Sequence, residues 1–250
     1  MKQLMFAFVA MLVFAGCKKE KVPKAENLVK KGKLSEFSYS FNGSPAEICK
    51  ISYDNSGRLA TYMDSDHKYS FSYNGASNLV VTRSKLSDGT IDQTIECVLN
   101  GSGAITKAEY KSNGLTSYTY LFNYDASGNM LSLKGSGGGG THEEVFTYEN
   151  GVPVSLKVSD GVSVYRTEQF VYDFSRVNKS GLTYWYIWPS DVLYGKPLKY
   201  HLKEVKSFNA NGDVINHTKY NLNFDAEGYP VSEVVSSQIK NYIQTYTYKF

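Results

Sequence analysis

The chain has 250 residues, which is enough for one sizeable domain or two small ones. It contains 21 Tyr and 21 Gly, a composition that favours strands and turns over helices. The formal net charge of +3 at pH 7 is too small to indicate a nucleic-acid partner, so we expect none.

The first seventeen positions have the pattern of a signal peptide. The sequence MKQLMFAFVAMLVFAGC contains one Lys, an apolar run too short to span a bilayer as a helix, and then small residues. Its ending, Phe14-Ala15-Gly16-Cys17, resembles the lipobox of bacterial lipoproteins, although Phe14 stands where Leu is usual. The resemblance implies cleavage before Cys17 and a lipid anchor on it. Because Lys18 rather than Asp follows, it also implies the outer membrane. The alternative is an ordinary secretory signal with a chance Cys.

This pattern divides the chain into three parts. Residues 1–16 form the predicted signal peptide, residues 17–33 the lipidated Cys17 and a flexible tether, and residues 34–250 a single β domain. An extended tether of this length reaches about 50 Å. We therefore expect a membrane contact through the anchor at Cys17.

A short motif recurs along the β domain, and ISYDNSGRLATY at 51–62 contains its first copy. It consists of an aromatic or apolar residue, Asp or Asn, two further residues, Gly, and later an apolar residue. Full copies begin at Tyr53, Leu99, Tyr124, Phe208 and Phe224, and degenerate copies at Tyr73, Tyr148 and Tyr172. The first copies are spaced by about 24 residues, which is typical of a structural repeat.

Each copy has the chemistry of a tight hairpin turn. Asp or Asn caps its own turn, and Gly supplies a positive φ. Strict alternation flanks the copies, as in Tyr118-Thr119-Tyr120-Leu121-Phe122, and indicates antiparallel strands with aromatic side chains on one face. The alternative, calcium binding, lacks the dense ligand spacing of a calcium loop.

The repeats therefore predict an all-β fold, an antiparallel up-and-down meander of about 14–16 strands. So wide a sheet exposes long edges unless it closes, and a round barrel of this size has a lumen too wide to fill. We expect a closed, flattened barrel with aromatic residues inside.

The motif resembles the YD repeat of Rhs-type proteins, and YDNSGRL is a close match to it. The chain is too short for the shell that those proteins build. It is more similar to a family of lipoprotein domains of unknown function from gut anaerobes with a porin-like fold. This resemblance implies a fold and an envelope location, and no established activity. A rival is a membrane-spanning barrel, since the ending Tyr246-Thr247-Tyr248-Lys249-Phe250 resembles the assembly signal of outer-membrane barrels.

The sequence offers little for catalysis or metal binding. Cys49 and Cys97 are expected to be free, buried thiols, because a meander places them several strands apart. The four His are scattered and are interpreted as exposed strand or loop residues. GSGGGG at 135–140 lacks the ending of a phosphate loop and is interpreted as a hairpin loop. We expect no catalytic residue, no metal and no cofactor, and hence no enzyme.

One region departs from the repeat, the sequence YWYIWPSDVLYGKPLKY at 184–200, which contains both Trp residues. Both faces of a strand here would be apolar. One interpretation is a strand covered by the following loop. The other is an aromatic platform for a ligand. The candidate ligand-binding residues are Tyr184, Trp185, Tyr186, Trp188 and Tyr194.

The sequence thus favours a non-enzymatic, lipid-anchored envelope protein that binds a glycan, a peptide or a partner protein. The alternative is an outer-membrane pore-forming or pore-associated barrel. An enzyme is the third hypothesis.

Overall fold

In the computed structural model, which describes residues 33–180 and 197–250, the repeats form consecutive hairpins. The strands are β1 Glu36–Phe41, β2 Glu47–Tyr53, β3 Leu59–Met63, β4 His67–Asn74, β5 Asn78–Lys85, β6 Ile91–Leu99, β7 Ile105–Ser112, β8 Leu115–Tyr124, β9 Met130–Gly137, β10 Gly140–Glu149, β11 Val152–Ser159, β12 Val164–Val177, β13 Tyr200–Asn209, β14 Val214–Phe224, β15 Pro230–Ser237 and β16 Tyr242–Lys249.

The sixteen strands form a closed antiparallel barrel in chain order. Each strand pairs with its neighbours in the chain, and β1 pairs with β16 to complete the ring. This seam runs from the pair Glu36 and Lys249 to the pair Phe41 and Gln244. The predicted up-and-down barrel is confirmed, at the upper end of the predicted range of strands.

The five full copies of the motif adopt the same turn. In the first, one Asp54 carboxylate oxygen accepts hydrogen bonds from the backbone N–H groups of Ser56 (2.9 Å) and Arg58 (2.8 Å). Gly57 has a φ of 79°, which a side chain would make unfavourable. The side-chain oxygens of Asn100, Asp125, Asn209 and Asp225 accept the equivalent two backbone hydrogen bonds in the other copies. The motif is therefore a turn, as predicted.

Apolar and aromatic side chains lie inside the barrel. Buried residues from nearly every strand form one hydrophobic core, among them Phe37, Tyr62, Leu79, Phe122 and Phe170. A round sixteen-stranded barrel is too wide for side chains to fill. Burial of these residues to below a tenth of their surface shows that side chains fill this part of the interior, as the sequence predicts.

The outer face of the barrel carries charged and polar side chains, with apolar ones such as Leu121 and Val145 exposed among them. Exposed ion pairs lie on it, including Lys107 with Glu109 (2.7 Å) and Lys111 with Glu96 (2.6 Å). In the last strand, Tyr246 is buried while Thr245 and Lys249 face outward. A membrane-spanning barrel has an apolar outer band instead. No helix in the described ranges is long and apolar enough to cross a bilayer.

The two ends of the barrel carry different sets of connections. We call the end where β1 begins and β16 ends the proximal end, and the other the distal end. Four of the five motif turns lie at the proximal end, and the turn after β13 lies at the distal end. β12 ends and β13 begins at the proximal end as well.

The structure tests three of the smaller predictions. Cys49 and Cys97 are free and buried, as expected. The interpretation of 135–140 as a loop is wrong, because Gly135 and Gly137 belong to β9 and only the two residues after Gly137 form the turn. Exposure of all four His is also wrong: His201 is 7% exposed, because its ring packs against Phe224 with centroids 5.0 Å apart.

Candidate functional site

The residues that the sequence singles out lie outside the described part of the chain. These are Cys17 and Tyr184, Trp185, Tyr186, Trp188 and Tyr194. The flanking residues are held at the proximal end of the barrel. Asn178 donates from its backbone N–H to the Lys199 carbonyl (2.9 Å), and Lys179 donates to the Glu227 carbonyl (2.6 Å).

The interior of the barrel divides into two halves of different chemistry. The inward residues of the proximal half are almost all apolar, and Leu59, Leu79, Ile105 and Val152 are at most 4% exposed. We call this the apolar half. The inward residues of the distal half, the polar half, include Glu47, His67, Arg83, Tyr110, Tyr118, His142, Glu144, Arg166, Glu168, Ser207, Asn216 and Thr218. The side chains that could recognise a ligand are therefore concentrated towards the distal end.

A ladder of aromatic rings stands on β8 and leads into the polar half. Tyr118 and Tyr120 have ring centroids 4.7 Å apart, and Phe122 follows 6.3 Å below Tyr120. Tyr110 from β7 packs edge-on against Tyr120 at 5.5 Å. Phe122 is buried in the apolar half, whereas Tyr118 and Tyr120 are half-buried. The ladder thus ends at Tyr118, near the distal end.

Two glycines on β9 make room for the ladder. Tyr118 pairs with Gly137 and Tyr120 pairs with Gly135 across the two strands. A Cβ atom at Gly135 would lie 2.6 Å from Tyr118 Cε1 and 2.9 Å from Tyr120 Cε1. Because such distances are too short for any side chain, the tyrosine rings occupy the space that the glycines leave.

Hydrogen-bonding groups border the ladder on the next strand, β10. Gly135 pairs with His142, whose Nε2 is 2.9 Å from a Glu144 carboxylate oxygen. The other ring nitrogen of His142 is 3.2 Å from the Tyr165 hydroxyl. Aromatic rings and a polar edge are therefore adjacent.

An ion pair continues the polar half onto β12. Arg166 Nε lies 3.2 Å from a Glu168 carboxylate oxygen. Burial raises the pKa of Glu168, the Glu144 carboxylate adds to that rise, and Arg166 opposes it. Glu168 is only 9% exposed, so the pair stands inside the barrel rather than on its surface.

A third polar group lies on the other side of the ladder, on β4 to β6. Arg83 holds Asp92 through two hydrogen bonds of 2.8 and 3.0 Å, which lower the pKa of that carboxyl. His67 is 3.7 Å from both Asp64 and Asp92. The adjacent surface groove has a volume of about 490 Å³ and is lined by Ser65, Asp66, His67, Lys85, Leu86 and Ser87.

These clusters do not make a metal site. Within residues 33–180 and 197–250, no group of three or more His, Cys, Asp or Glu could hold a metal ion. The thiols are also poorly suited to chemistry, because burial raises the pKa of Cys49 to about 11 and that of Cys97 to about 12.

The distal turns carry exposed apolar side chains. Leu86, Leu115, Val162 and Ile239 are 48%, 75%, 93% and 51% exposed, and each lies in or beside a different distal turn. Such side chains at the rim of a polar interior add contact area for a ligand at this end.

Sequence reasoning missed the ladder, although a signal for it exists. The Asp125 turn fixes the register of β8 against β9. Counting outward from that turn places Gly135 opposite Tyr120 and Gly137 opposite Tyr118. The high glycine content of residues 135–140 is instead typical of a loop, which conceals this pairing.

Comparison with known proteins identifies the fold. A porin-like protein from Bacteroides uniformis has a crystal structure similar to this chain, with a TM-score of 0.65 and 15% identity over 86% of this chain and 97% of that one. A porin-like protein from Bacteroides vulgatus gives a TM-score of 0.60 and 10% identity over 87% and 98% of the two chains. At these identities the likeness concerns the fold alone. No model of a known protein family matches the chain. No curated protein is detectably similar in sequence.

Proposed function

We propose that this chain is a non-enzymatic, lipid-anchored protein of the cell envelope whose barrel binds a ligand, either a glycan, a peptide or a partner protein. The polar half of the interior supports this function. It brings tyrosine rings, His142 with Glu144 and Arg166 with Glu168 together towards one end of a rigid barrel. Rigid, convergent polar and aromatic groups are typical of ligand sites.

Two observations favour binding over a transmembrane pore. The outer face carries charged pairs at mid-strand, such as Lys107 with Glu109, which are costly against lipid. The apolar half is packed with side chains such as Leu79 and Leu156, both fully buried. A water-filled channel has a polar interior along its length.

The anchor would sit on the proximal side of the barrel. Leu34 and Ser35 lead into β1 at that end, so the predicted tether from Cys17 reaches the barrel there. The aromatic segment around Trp185 and Trp188 lies between β12 and β13 in the chain, and we retain it as a second candidate for recognition.

The test combines a conductance measurement with a binding screen on the full chain. Planar bilayers with the purified chain should show no stepwise currents, and a panel of glycans and peptides should contain a saturable ligand. A known porin is the positive control for conductance. Reproducible channels with no ligand in the panel would reverse the proposal in favour of the pore.

Cellular fractionation tests the anchor independently. Cys17→Ala should release the chain from membranes into the soluble fraction, whereas Cys49→Ala should leave it membrane-bound, because Cys49 is buried inside the barrel. A Cys17→Ala chain that still resists extraction as an integral protein would contradict the lipid anchor.

A further inference from the structure

The tyrosine ladder and its polar border have the elements of a saccharide site. Aromatic rings stack on the apolar C–H face of a pyranose, and the hydroxyls at the sugar's edge need hydrogen-bonding groups nearby. Tyr118 and Tyr120 supply the rings, 4.7 Å apart. Glu144 supplies a carboxylate acceptor on the same side of the barrel, with one of its oxygens held by His142.

The glycines hold the ladder in place for this purpose. Any Cβ atom at Gly135 would collide with both tyrosine rings. The absence of a side chain at this position therefore allows the rings to lie over β9, on the side where His142 pairs with Gly135. Gly137 has a φ of 148°, in a region that side chains rarely adopt. The ladder is therefore built into the strand pair rather than carried on a loop.

The charges around the ladder favour an uncharged ligand. Glu144 is paired with His142, Glu168 with Arg166, and Asp92 with Arg83. Since each of these carboxyl groups already has a nearby partner, a charged ligand would have to displace an existing contact. A neutral sugar needs only stacking and hydrogen bonds.

The closed sheet disfavours an extended peptide as the ligand. Peptides commonly bind by adding a strand to a free sheet edge. The seam between β1 and β16 removes the edges of this barrel. A ligand inside the polar half must therefore bind through side-chain contacts rather than backbone hydrogen bonds, which favours a saccharide over an extended peptide.

From these observations we propose that the Tyr118–Tyr120 ladder binds an uncharged pyranose-containing glycan, stacked on the Tyr118 ring and donating a hydroxyl hydrogen bond to the Glu144 carboxylate, which His142 holds in position. This inference rests on the proposed binding function and specifies its ligand class and location.

The test is a titration of the full chain, purified in a detergent without a sugar headgroup. The probes are neutral hexasaccharides of glucose, xylose and mannose, a hexasaccharide of uronic acids, and a random hexapeptide mixture. Isothermal calorimetry should detect a neutral hexasaccharide and give weaker binding for the uronic-acid probe. Tyr118→Ala should weaken the neutral glycan about tenfold, and Tyr118→Phe should change its affinity less than about threefold.

Control variants separate recognition from folding. Phe174→Ala removes an aromatic side chain that is 61% exposed at the proximal end and should leave affinity unchanged. Thermal melts accompany each variant, and Tyr118→Leu, which keeps most of the volume but has no ring face, replaces Tyr118→Ala if that variant unfolds.

The alternative outcomes are distinguishable. Binding of the peptide mixture but of no neutral saccharide overturns the glycan inference and leaves the proposed binding function standing. Saccharide binding that Trp185→Ala or Trp188→Ala abolishes and Tyr118→Ala leaves unchanged places recognition in the aromatic segment and overturns the ladder as the site. Binding of no probe counts against both proposals.

Discussion

At the scale of single residues, the repeat combines a capped turn with a buried tyrosine hydroxyl. Tyr124 donates to the Ile105 carbonyl (2.7 Å), and Tyr53, Tyr148 and Tyr172 make the same bond to carbonyls 18 or 19 residues earlier. Burial raises the pKa of Tyr148 to about 12, so its hydroxyl stays a donor. In these four copies the tyrosine of the motif thus connects the turn to the preceding hairpin.

The glycine of the turn should be more sensitive to substitution than its neighbour. Gly128 has a φ of 82°, and a Cβ atom there would meet nothing within 4 Å, so the cost of Gly128→Val comes from the backbone conformation. We expect the free energy of unfolding to fall by about 1–3 kcal/mol. Ser127→Ala, beside it in the same turn, is the matched control. Equal melting temperatures for the two variants would contradict this account.

A buried carboxyl gives the barrel a pH dependence of known sign. Glu233 faces the interior and accepts a hydrogen bond from the Tyr248 hydroxyl (2.7 Å). Burial raises the pKa of Glu233 above the ordinary value of about 4.3. As pH rises through that ordinary value, the unfolded chain loses this proton while the folded chain retains it. The contribution of Glu233 to stability is therefore largest at low pH and is lost as pH rises through the folded pKa.

Glu233→Gln tests this sign. The amide oxygen can still accept the Tyr248 hydrogen bond but never ionises, so the variant should gain stability relative to the parent between about pH 4 and pH 7. Denaturant titrations at several pH values measure the difference. Glu143→Gln, on the outer face of β10, is the control. Parallel curves for the parent and Glu233→Gln would show that the carboxyl is not sheltered.

At the scale of the strand, adjacent residues have opposite environments. Ile95 is 5% exposed inside the barrel, and Glu96 beside it lies on the outer face with Lys111. Ile95→Ala should lower the free energy of unfolding by about 2–5 kcal/mol. Glu96→Ala should change it by about 0–1 kcal/mol, since the ion pair is exposed to solvent. Chemical denaturation measures the free energy of unfolding of both variants. A larger effect of Glu96→Ala would contradict the assignment of Ile95 to the interior and Glu96 to the outer face.

The strands and turns could be predicted from the sequence because their signals are local. Asp54 and Gly57 are three positions apart, and the alternation in β8 is continuous. The burial of His201 could not be predicted, since it depends on Phe224, more than twenty residues away. The division into an apolar and a polar half depends on which strands face each other after closure. The ladder is predictable only in part. The Asp125 turn fixes the register of β8 against β9, but the glycine content of β9 is typical of a loop.

At the scale of the whole molecule, closure of the barrel depends on one strand pair, the seam between β1 and β16. Removing β16 by ending the chain after Lys240 leaves β1 and β15 with unpaired edges and uncovers Phe37 and Tyr39. We expect such a chain to aggregate, which size-exclusion chromatography measures. A circular permutant that joins Phe250 to Leu34 and opens the chain at the turn between β9 and β10 retains every strand and should stay monomeric. Aggregation of both chains would show that β16 is not the cause.

The seam also sets an order of events during folding. Every other strand pair joins neighbours in the chain, so each hairpin closes over a short connection. The partner of β1 lies about 200 residues further along the chain, so the pair of β1 and β16 forms after the hairpins. Until this pair forms, the free edge of β1 is open to strands of other chains. The speed with which Tyr242–Lys249 reaches β1 therefore decides between closure and association with a neighbouring chain.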